Sequence, residues 1–363
     1  MTAPDDALPP VTKLGELGEL GESVSGNNGE SSGIHPVKPI AGVAGLLFKS
    51  YLSHERTEQR GRSLDALVGL GRNPRESLRG DRDVLLRGSS WPLSRVVDRS
   101  GVTVGCLFRA ADARYRRDDG KLREIDQLAR TDAQLARRGL TVTREQRLRL
   151  CLGLVEFAAA LERRRLLYCD WNYVNALWSD EDWSVLVIDV DGCRAIVGPR
   201  EGVPDRHQPN WEEVVPRPDA LADRQTDRYR VALLVARCLT GERELPFLLN
   251  RLADAPAQEV PARDQLLAML LAEDRARRPN LELLHSALSG TTRFRTEIPM
   301  LAPPPLPVRR PRPPSTPVTS STSGNTPPQP KKPGPEYRAA VAALLALLGV
   351  ILLILLLHAG GSS

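Results

Sequence analysis

Two short apolar runs near the middle of the chain predict a β-hairpin. Residues 185–188 read Val-Leu-Val-Ile and end directly on Asp189. Residues 176–178 read Ala-Leu-Trp, and the stretch between the two runs, residues 179–182, is polar. β-Branched and aromatic residues favour strands, whereas Ser and Asp favour turns. We therefore expect two paired strands joined by an acidic turn.

Longer patterns, with apolar residues three and four positions apart, predict helices. Thr143 and Gln146 form a capping box, so a core helix is expected to begin there. Its apolar residues are Leu148, Cys151, Leu152, Val155, Ala159 and Leu161. Residues 226–240 form a second amphipathic pattern, which Gly241 would close.

The N-terminal half mixes strands with charged helices. Residues 45–51 read as an apolar strand, and residues 90–108 as two strands around an Arg-Ser-Gly turn. Residues 53–70 and 121–138 are expected to be helical, the second as a solvated, highly charged helix.

The C-terminal part has a different character. Residues 291–337 are dense in Pro, Ser and Thr, which predicts an extended linker without a core. Residues 338–357 contain an unbroken apolar run of about 19 residues, long enough to cross a bilayer as one helix. Basic residues precede this run, so the bulk of the chain should be cytoplasmic and residues 358–363 should lie outside. Residues 1–10 are polar and Pro-rich and are expected to be disordered.

Composition excludes several classes of protein. With 363 residues, 41% of them hydrophobic, the chain can bury a core for one large or two small domains. A net charge of +5 is modest for this length, so we expect no nucleic-acid partner. The five cysteines are scattered and lack a Cys-x-x-Cys pair, which disfavours a disulfide framework or a zinc site and fits a reducing compartment.

Three polar residues around the predicted hairpin have a possible chemical use. Asp170 precedes it, Asn175 begins it, and Asp189 ends it. A loop carboxylate can accept a proton from an attacking hydroxyl, and two hard oxygen ligands can hold Mg²⁺ on nucleotide phosphates. The alternative is an ordinary hairpin with acidic turns.

This arrangement resembles the catalytic loop and metal-binding segment of eukaryotic-type protein kinases. It is closer to a divergent bacterial branch in which these segments read Asp-x-Asn-x-x-Asn and Ile-Asp-x-Asp. The matching residues are Asp170, Asn172, Asn175, Ile188, Asp189 and Asp191. The resemblance implies that Asp170 is the catalytic base and that Asn175 and Asp189 bind Mg²⁺. In an alternative alignment, Asp191 before Gly192 is the main metal ligand.

The resemblance extends to the N-terminal half. Residues 14–24 are similar to a kinase Gly-rich loop, in which Gly18 and Gly21 would approach the ATP phosphates, although a low-complexity linker is the alternative. The strand at residues 45–51 carries Lys49, which would bind phosphate and act with the base in catalysis.

Two further positions in that half are implied by the resemblance. A glutamate of the following helix, Glu55 or Glu58, would pair with Lys49. Phe108 would begin the interlobe hinge, where backbone groups bind the adenine edge.

The resemblance also continues after the hairpin. Residues 208–213 are similar to the signature that ends the activation segment. Asp227 would accept hydrogen bonds from the catalytic-loop backbone, and Arg278 would pair with Glu212 or Glu213.

Together these matches imply that residues 11–290 form a two-lobed, α+β protein-kinase-like domain that uses ATP and Mg²⁺. The implied activity is phosphoryl transfer to Ser or Thr of protein substrates, from a domain anchored to the membrane by the C-terminal helix. Tyr168 and Cys169 replace the usual His-Arg before the base, so activation should not depend on a phosphorylated activation loop. A pseudokinase that acts as a nucleotide- or partner-binding membrane scaffold is the alternative, and a kinase of small molecules is a third.

Overall fold

The structure combines one five-stranded sheet with a body of helices. The computed structural model describes residues 7–24, 31–72, 79–195, 203–204, 210–214, 221–256 and 259–291. The sheet strands come from the first 109 residues, and the longest helices come after residue 143. The predicted α+β class is confirmed.

The sheet has the strand order β1-β4-β5-β3-β2. Its strands are β1 (Val11–Lys13), β2 (Ser31–Pro36), β3 (Leu46–Tyr51), β4 (Ser94–Val97) and β5 (Thr103–Arg109). β1 runs parallel to β4, and the other neighbours are antiparallel. The strands predicted from residues 45–51 and 90–108 are confirmed. β3, which carries Lys49, lies between β5 and β2.

Three smaller pairs of strands follow. They are β6 (Leu166–Leu167) with β9 (Arg194–Ala195), β7 (Ala176–Trp178) with β8 (Val185–Val187), and β10 (Val203–Pro204) with β11 (Leu221–Ala222). The predicted hairpin is the antiparallel pair β7–β8, in which Ala176 faces Val187.

The helical body is built around two long helices. The two are α4 (Arg144–Arg163) and α5 (Arg224–Thr240). The other helices are α1 (Glu58–Arg72), α2 (Arg79–Arg87), α3 (Asp132–Ala136), α6 (Leu245–Asp254), α7 (Arg263–Leu271) and α8 (Leu281–Leu288). The capping box at Thr143 and Gln146 starts α4 as predicted. α5 is buried on nearly all sides, as expected of a helix at the centre of a core.

Gly241 ends α5 for a steric reason. Its φ of 70° lies in the left-handed region, and a Cβ atom there would lie 2.5 Å from the carbonyl oxygen of Arg130. Glycine alone avoids both the strain and the collision. The C-terminal boundary predicted for this helix is therefore confirmed.

The Gly-rich loop predicted at residues 14–24 is helical in its first half. Leu14–Leu17 is a 3-10 helix, and Leu17 is buried against the sheet. In the second half, the Gly21 and Val24 N–H groups donate to carbonyls of β2 at 2.9 and 2.8 Å. Residues 21–24 therefore run along the edge of the sheet, and their connection to β2 lies outside the described residues.

The long charged helix predicted over residues 121–138 is also wrong. A 3-10 helix, Ile125–Gln127, and the short α3 occupy this stretch. Arg123 is buried, and its guanidinium pairs with Asp180 at 2.5 Å, so it does not belong to a solvated face. The partner lies 57 positions away, and local sequence carries no signal of it.

The predicted boundaries need two further changes. The helix expected at residues 53–70 begins at Glu58, because Ser53–Glu55 forms a separate 3-10 turn. The start of the ordered chain precedes Val11, since Leu8 is buried against Val43 and Leu46.

The linker and the predicted membrane span lie almost wholly beyond residue 291, outside the described residues. Among the helices that the structure describes, none is both long enough and apolar enough to cross a membrane. The span at residues 338–357 stays a prediction.

Candidate functional site

Lys49 reaches the site from β3, an inner strand of the sheet. It lies on β3 opposite β5, and a Cβ atom at Gly105 would come within 2.1 Å of the Lys49 carbonyl oxygen, so only glycine allows this close approach of the strands. The side chain is 4% exposed and forms ion pairs with both Asp189 and Asp191. Its ammonium group is thus neutralised by residues 140 and 142 positions further on.

Helix α5 holds the loop that carries Asp170 through hydrogen bonds. Asp227 accepts hydrogen bonds from the N–H groups of Tyr168 and Cys169 at 2.9 and 2.7 Å. This confirms the predicted role of Asp227. Cys169 has a φ of 59°, and its carbonyl accepts a bond from Arg230, so contacts on both sides hold a strained residue directly before Asp170.

Asparagine side chains orient the Asp170 carboxylate. Asn172 donates from Nδ2 to Oδ1 at 3.2 Å, and Asn175 donates from Nδ2 to Oδ2 at 2.6 Å. Asn172 also accepts the N–H groups of Val174 and Asn175, which closes the loop on itself. Each carboxylate oxygen is therefore held by a side-chain amide of the same loop, residues 170–175.

The β7–β8 hairpin brings Asn175 next to Asp189. The Ile188 N–H donates to the Asn175 carbonyl at 2.9 Å, so the chain enters and leaves the hairpin at one point. The Tyr168 hydroxyl donates to the Ile188 carbonyl at 2.6 Å and joins the Asp170 loop to the same point. The predicted base and the two predicted metal ligands are consequently held by one set of backbone contacts.

The segment after β8 is not extended. Asp189 has a φ of 64°, in the left-handed region, and Val190–Gly192 forms a 3-10 turn. Both aspartates nevertheless contact Lys49. Their side chains differ in exposure, 41% for Asp189 and 6% for Asp191.

Asp191 lies at the centre of a buried polar cluster. Its Oδ1 accepts from Lys49 at 2.9 Å, and its Oδ2 accepts from the Tyr51 hydroxyl at 2.7 Å. The Arg60 guanidinium, from α1, lies 3.4 Å from the same Oδ2. Asp191 is therefore surrounded by donors on both oxygens.

Electrostatics in this cluster favour the charged forms. Burial raises the pKa of Asp191. The charges of Lys49 and Arg60 lower it by more than burial raises it, so the net shift is downward. Burial lowers the pKa of Lys49, and Asp191 and Asp189 raise it by more. Both groups are ionised throughout the physiological range.

A small cavity adjoins the aspartates. It is lined by Ser90, Pro92, Cys106, Phe108, Asp189 and Asp191. Its volume is about 10 Å³, the room that roughly one water needs. Phe108, predicted at the hinge, thus faces the predicted metal segment, although β5 continues to Arg109 and its backbone pairs with Leu47. Admitting a nucleotide requires this cavity to widen.

Of the two predicted phosphate-binding glycines, Gly21 lies at the β2 edge of the sheet. The Gly21 N–H already donates to the Pro36 carbonyl at 2.9 Å. Gly18 follows the 3-10 helix with a φ of 67°. No described hydrogen bond joins either glycine to Lys49 or Asp189.

The predicted pairing of Lys49 with a helix glutamate is replaced by the two aspartates. Glu58 is exposed and binds Arg62 at 2.6 Å, and Glu55 lies 3.7 Å from His54. α1 instead directs Arg60 towards the site.

Sequence reasoning missed Tyr51 and Arg60, yet both left a signal. Tyr51 is two residues after Lys49 on the same strand and points to the same face. Arg60 shares the buried face of α1 with Leu64, Leu67 and Val68 at helical spacing. An arginine on an apolar helix face indicates a buried anion.

The residues present fit Mg²⁺ bound together with phosphates. Mg²⁺ commonly takes one or two protein ligands beside waters and phosphate oxygens. The Asn175 side-chain nitrogen donates to Asp170, so the side-chain oxygen Oδ1 is the atom left to bind a metal. Asp189 is more exposed than Asp191 and is therefore the more accessible carboxylate. Within the described part of the chain, no group of three or more His, Cys, Asp and Glu residues could hold a metal without such help.

A second ion cluster fixes the end of the predicted activation segment. Glu213 pairs with Arg278 at 2.5 Å, which selects it over Glu212 as the predicted partner. Arg275 also binds Glu213, at 2.8 Å, and this contact was not predicted. Trp211 packs under the Arg237 guanidinium, 4.7 Å from ring centre to Cζ.

Comparison with known proteins adds no relative. No protein-family model matches the chain, and no curated protein matches it.

Proposed function

We propose that this chain is a membrane-anchored, ATP-dependent protein kinase that transfers the γ-phosphate to Ser or Thr of protein substrates. Asp170 is the base, Lys49 binds phosphate, and Asn175 and Asp189 hold Mg²⁺. The domain has the two-lobed kinase-like arrangement, with the sheet as the smaller lobe and the helical body as the larger one. The residues 338–357 anchor it with its bulk in the cytoplasm.

The observation that carries the proposal is the meeting of three distant segments. Lys49 from β3, the Asp170–Asn175 loop and Asp189 after β8 come together through direct contacts. A structural hairpin with acidic turns does not require a buried lysine from another sheet to end on its aspartates. Burying that lysine is costly unless it serves an anion.

The chain's residues divide the chemistry of phosphoryl transfer. Asp170, oriented by Asn172 and Asn175, accepts the proton of the attacking hydroxyl. With Asp189 turned to hold the metal, Lys49 would be available to attract phosphate oxygens. Mg²⁺, when bound, neutralises charge on the transferred phosphate, and the remaining work is positioning.

A phosphate-transfer assay tests this function. Full-length protein is incubated with γ-labelled ATP and Mg²⁺, and label on the protein and on a generic Ser/Thr substrate is measured. Asp170→Asn should lower transfer by about 100-fold or more, because it removes the base but no core contact. Asp118→Asn, at an exposed turn, is the matched control. Equal rates for parent and Asp170→Asn would exclude Asp170 as the base.

The closed cavity supports a second candidate, a pseudokinase scaffold. Lys49 is neutralised by two carboxylates, and about 10 Å³ of space adjoins them, which suits a protein that binds partners without turning over ATP. Nucleotide binding without transfer, or no binding at all, together with normal folding, would favour this function.

A further inference from the structure

Four charged side chains meet at the back of the site. Lys49 and Arg60 supply two positive charges, and Asp189 and Asp191 supply two negative charges; we call these four residues the charge quartet. Arg60 is only 1% exposed at its side chain, and Lys49 only 4%. As a group the quartet is neutral, which is the condition for burying charges at tolerable cost.

Arg60 connects helix α1 to this quartet. Its guanidinium stacks on the Tyr51 ring, with Cζ 4.6 Å from the ring centre, and its Nη2 lies 3.4 Å from Oδ2 of Asp191. The Tyr51 hydroxyl binds the same oxygen at 2.7 Å. A shift of α1 would therefore move the groups that hold Asp191, and through Asp191 it would move Lys49.

The two carboxylates are not equivalent within the quartet. Asp191 contacts Lys49, Tyr51 and Arg60 and is buried, whereas the Asp189 side chain is 41% exposed. If Asp189 turns towards a metal, one carboxylate remains with two cations. The remaining group carries a net charge of +1 beside the place where phosphates would bind, and a fixed positive charge there favours phosphate.

We propose that Asp191 and Arg60 are positioning residues for Lys49. Asp191 fixes the ammonium group, Arg60 ties α1 to Asp191, and the pair takes the role that a glutamate on this helix would otherwise have. Asp191 is then not a ligand of the metal. This inference rests on the proposed function, since it assumes that Lys49 binds nucleotide phosphate.

Two titrations separate this role from metal binding. A fluorescent ATP analogue is titrated into the full-length protein at saturating Mg²⁺, and Mg²⁺ is titrated at fixed nucleotide. Asp191→Asn and Arg60→Gln should each raise the nucleotide Kd by about tenfold, without changing the Mg²⁺ concentration at half-saturation. Asp189→Asn should instead raise that Mg²⁺ concentration by about tenfold.

The variant Arg60→Lys and a matched control show whether a loss of affinity comes from the site and not from a loss of fold. Arg60→Lys retains the positive charge, so it should recover part of the affinity that Arg60→Gln loses. Arg62→Gln removes an exposed arginine from the same helix, where it pairs only at the surface with Glu58, and should leave both titrations unchanged. Thermal unfolding identifies any variant that has lost its fold.

The outcomes distinguish the inference from the proposed function. A parent protein that binds no nucleotide overturns both. A parent that binds, with Arg60→Gln and Asp191→Asn both equal to it, overturns the inference alone. So does a larger Mg²⁺ requirement in Asp191→Asn than in Asp189→Asn, because Asp191 would then be the metal ligand.

Discussion

Lys49 is a single residue whose removal should have two separable effects. Lys49→Ala removes the cation that we propose binds phosphate, so we expect the Kd for ATP with Mg²⁺ to rise by about tenfold or more. It also leaves Asp191 with one cation fewer in a buried cluster, and breaking a buried ion pair costs about 3–5 kcal/mol of unfolding free energy. Nucleotide titration measures the first effect, and urea unfolding measures the second.

The control for this variant is Lys38→Ala. Lys38 is an exposed lysine that lies 4.0 Å from Glu19, and it should affect neither quantity. Unchanged nucleotide affinity in Lys49→Ala would make Lys49 a structural counterion and no more.

At the scale of elements, Asp227 links α5 to the loop that carries Asp170, and we expect it to make stability depend on pH. Burial raises the pKa of Asp227 to about 6 from 3.8, although the N–H groups of Tyr168 and Cys169 lower it. Between about pH 4 and pH 6 the folded chain holds a proton that the unfolded chain releases. The stability from this group is therefore full below pH 3.8 and is lost as the pH rises through about 6.

Asp227→Asn should remove this pH dependence. Relative to the variant, the parent should lose on the order of 3 kcal/mol of unfolding free energy between pH 4 and pH 6.5. Asp191 does not contribute in that window, because its pKa is lowered and its stabilisation is lost only as the pH falls below 3.8. Urea unfolding of both proteins over a pH series measures the difference. If the two proteins differed in unfolding free energy by the same amount at every pH, Asp227 would not be the group that makes stability depend on pH.

Glu213 fixes the end of the predicted activation segment to the helical body. Glu213→Gln removes the carboxylate from both Arg275 and the buried Arg278, so we expect unfolding free energy to fall by about 3 kcal/mol. Glu212→Gln changes the neighbouring exposed glutamate and should have an effect of at most about 0.5 kcal/mol. Equal losses in the two variants would contradict the special role of Glu213.

The sequence predicted those elements whose signals are local. The capping box at Thr143, the glycine stop at Gly241 and the β7–β8 hairpin depend on residues a few positions apart, and all are present. The helix predicted around Arg123 is wrong. Arg123 is held by an ion pair with Asp180, a residue of another segment, and the local pattern of charges gives no sign of that contact.

The site was predicted in the same uneven way. The Asp170–Asn175 spacing is local, and these residues contact each other. The partner of Lys49 was sought on the adjacent helix, whereas its partners come from the segment after β8. Arg60 went unnoticed because its anion is 131 positions away.

At the scale of the whole molecule, the proposed anchor at residues 338–357 makes a prediction about where the protein resides. The full-length protein should sediment with membranes, and removal of residues 339–363 should move it to the soluble fraction, since about 19 apolar residues suffice to span a bilayer. Fractionation with and without detergent measures this. Replacing residues 359–363 alone is the matched control, and it should leave the protein in the membrane fraction. Full-length protein that is soluble without detergent would exclude the anchor.

The bridge between β8 and the segment before β4 has a mechanical consequence. The Val187 N–H donates to the Gly88 carbonyl at 2.8 Å, and the Ser90 N–H donates to the Val187 carbonyl at 2.9 Å. Rotation of the sheet about this bridge would separate Lys49 from Asp189 but leave Asn175 and Asp189 together. The bridge would then act as a fixed pivot when the cavity opens. Because the Val187 N–H stays bonded within the bridge, its hydrogen exchange should stay slow even after ATP is added.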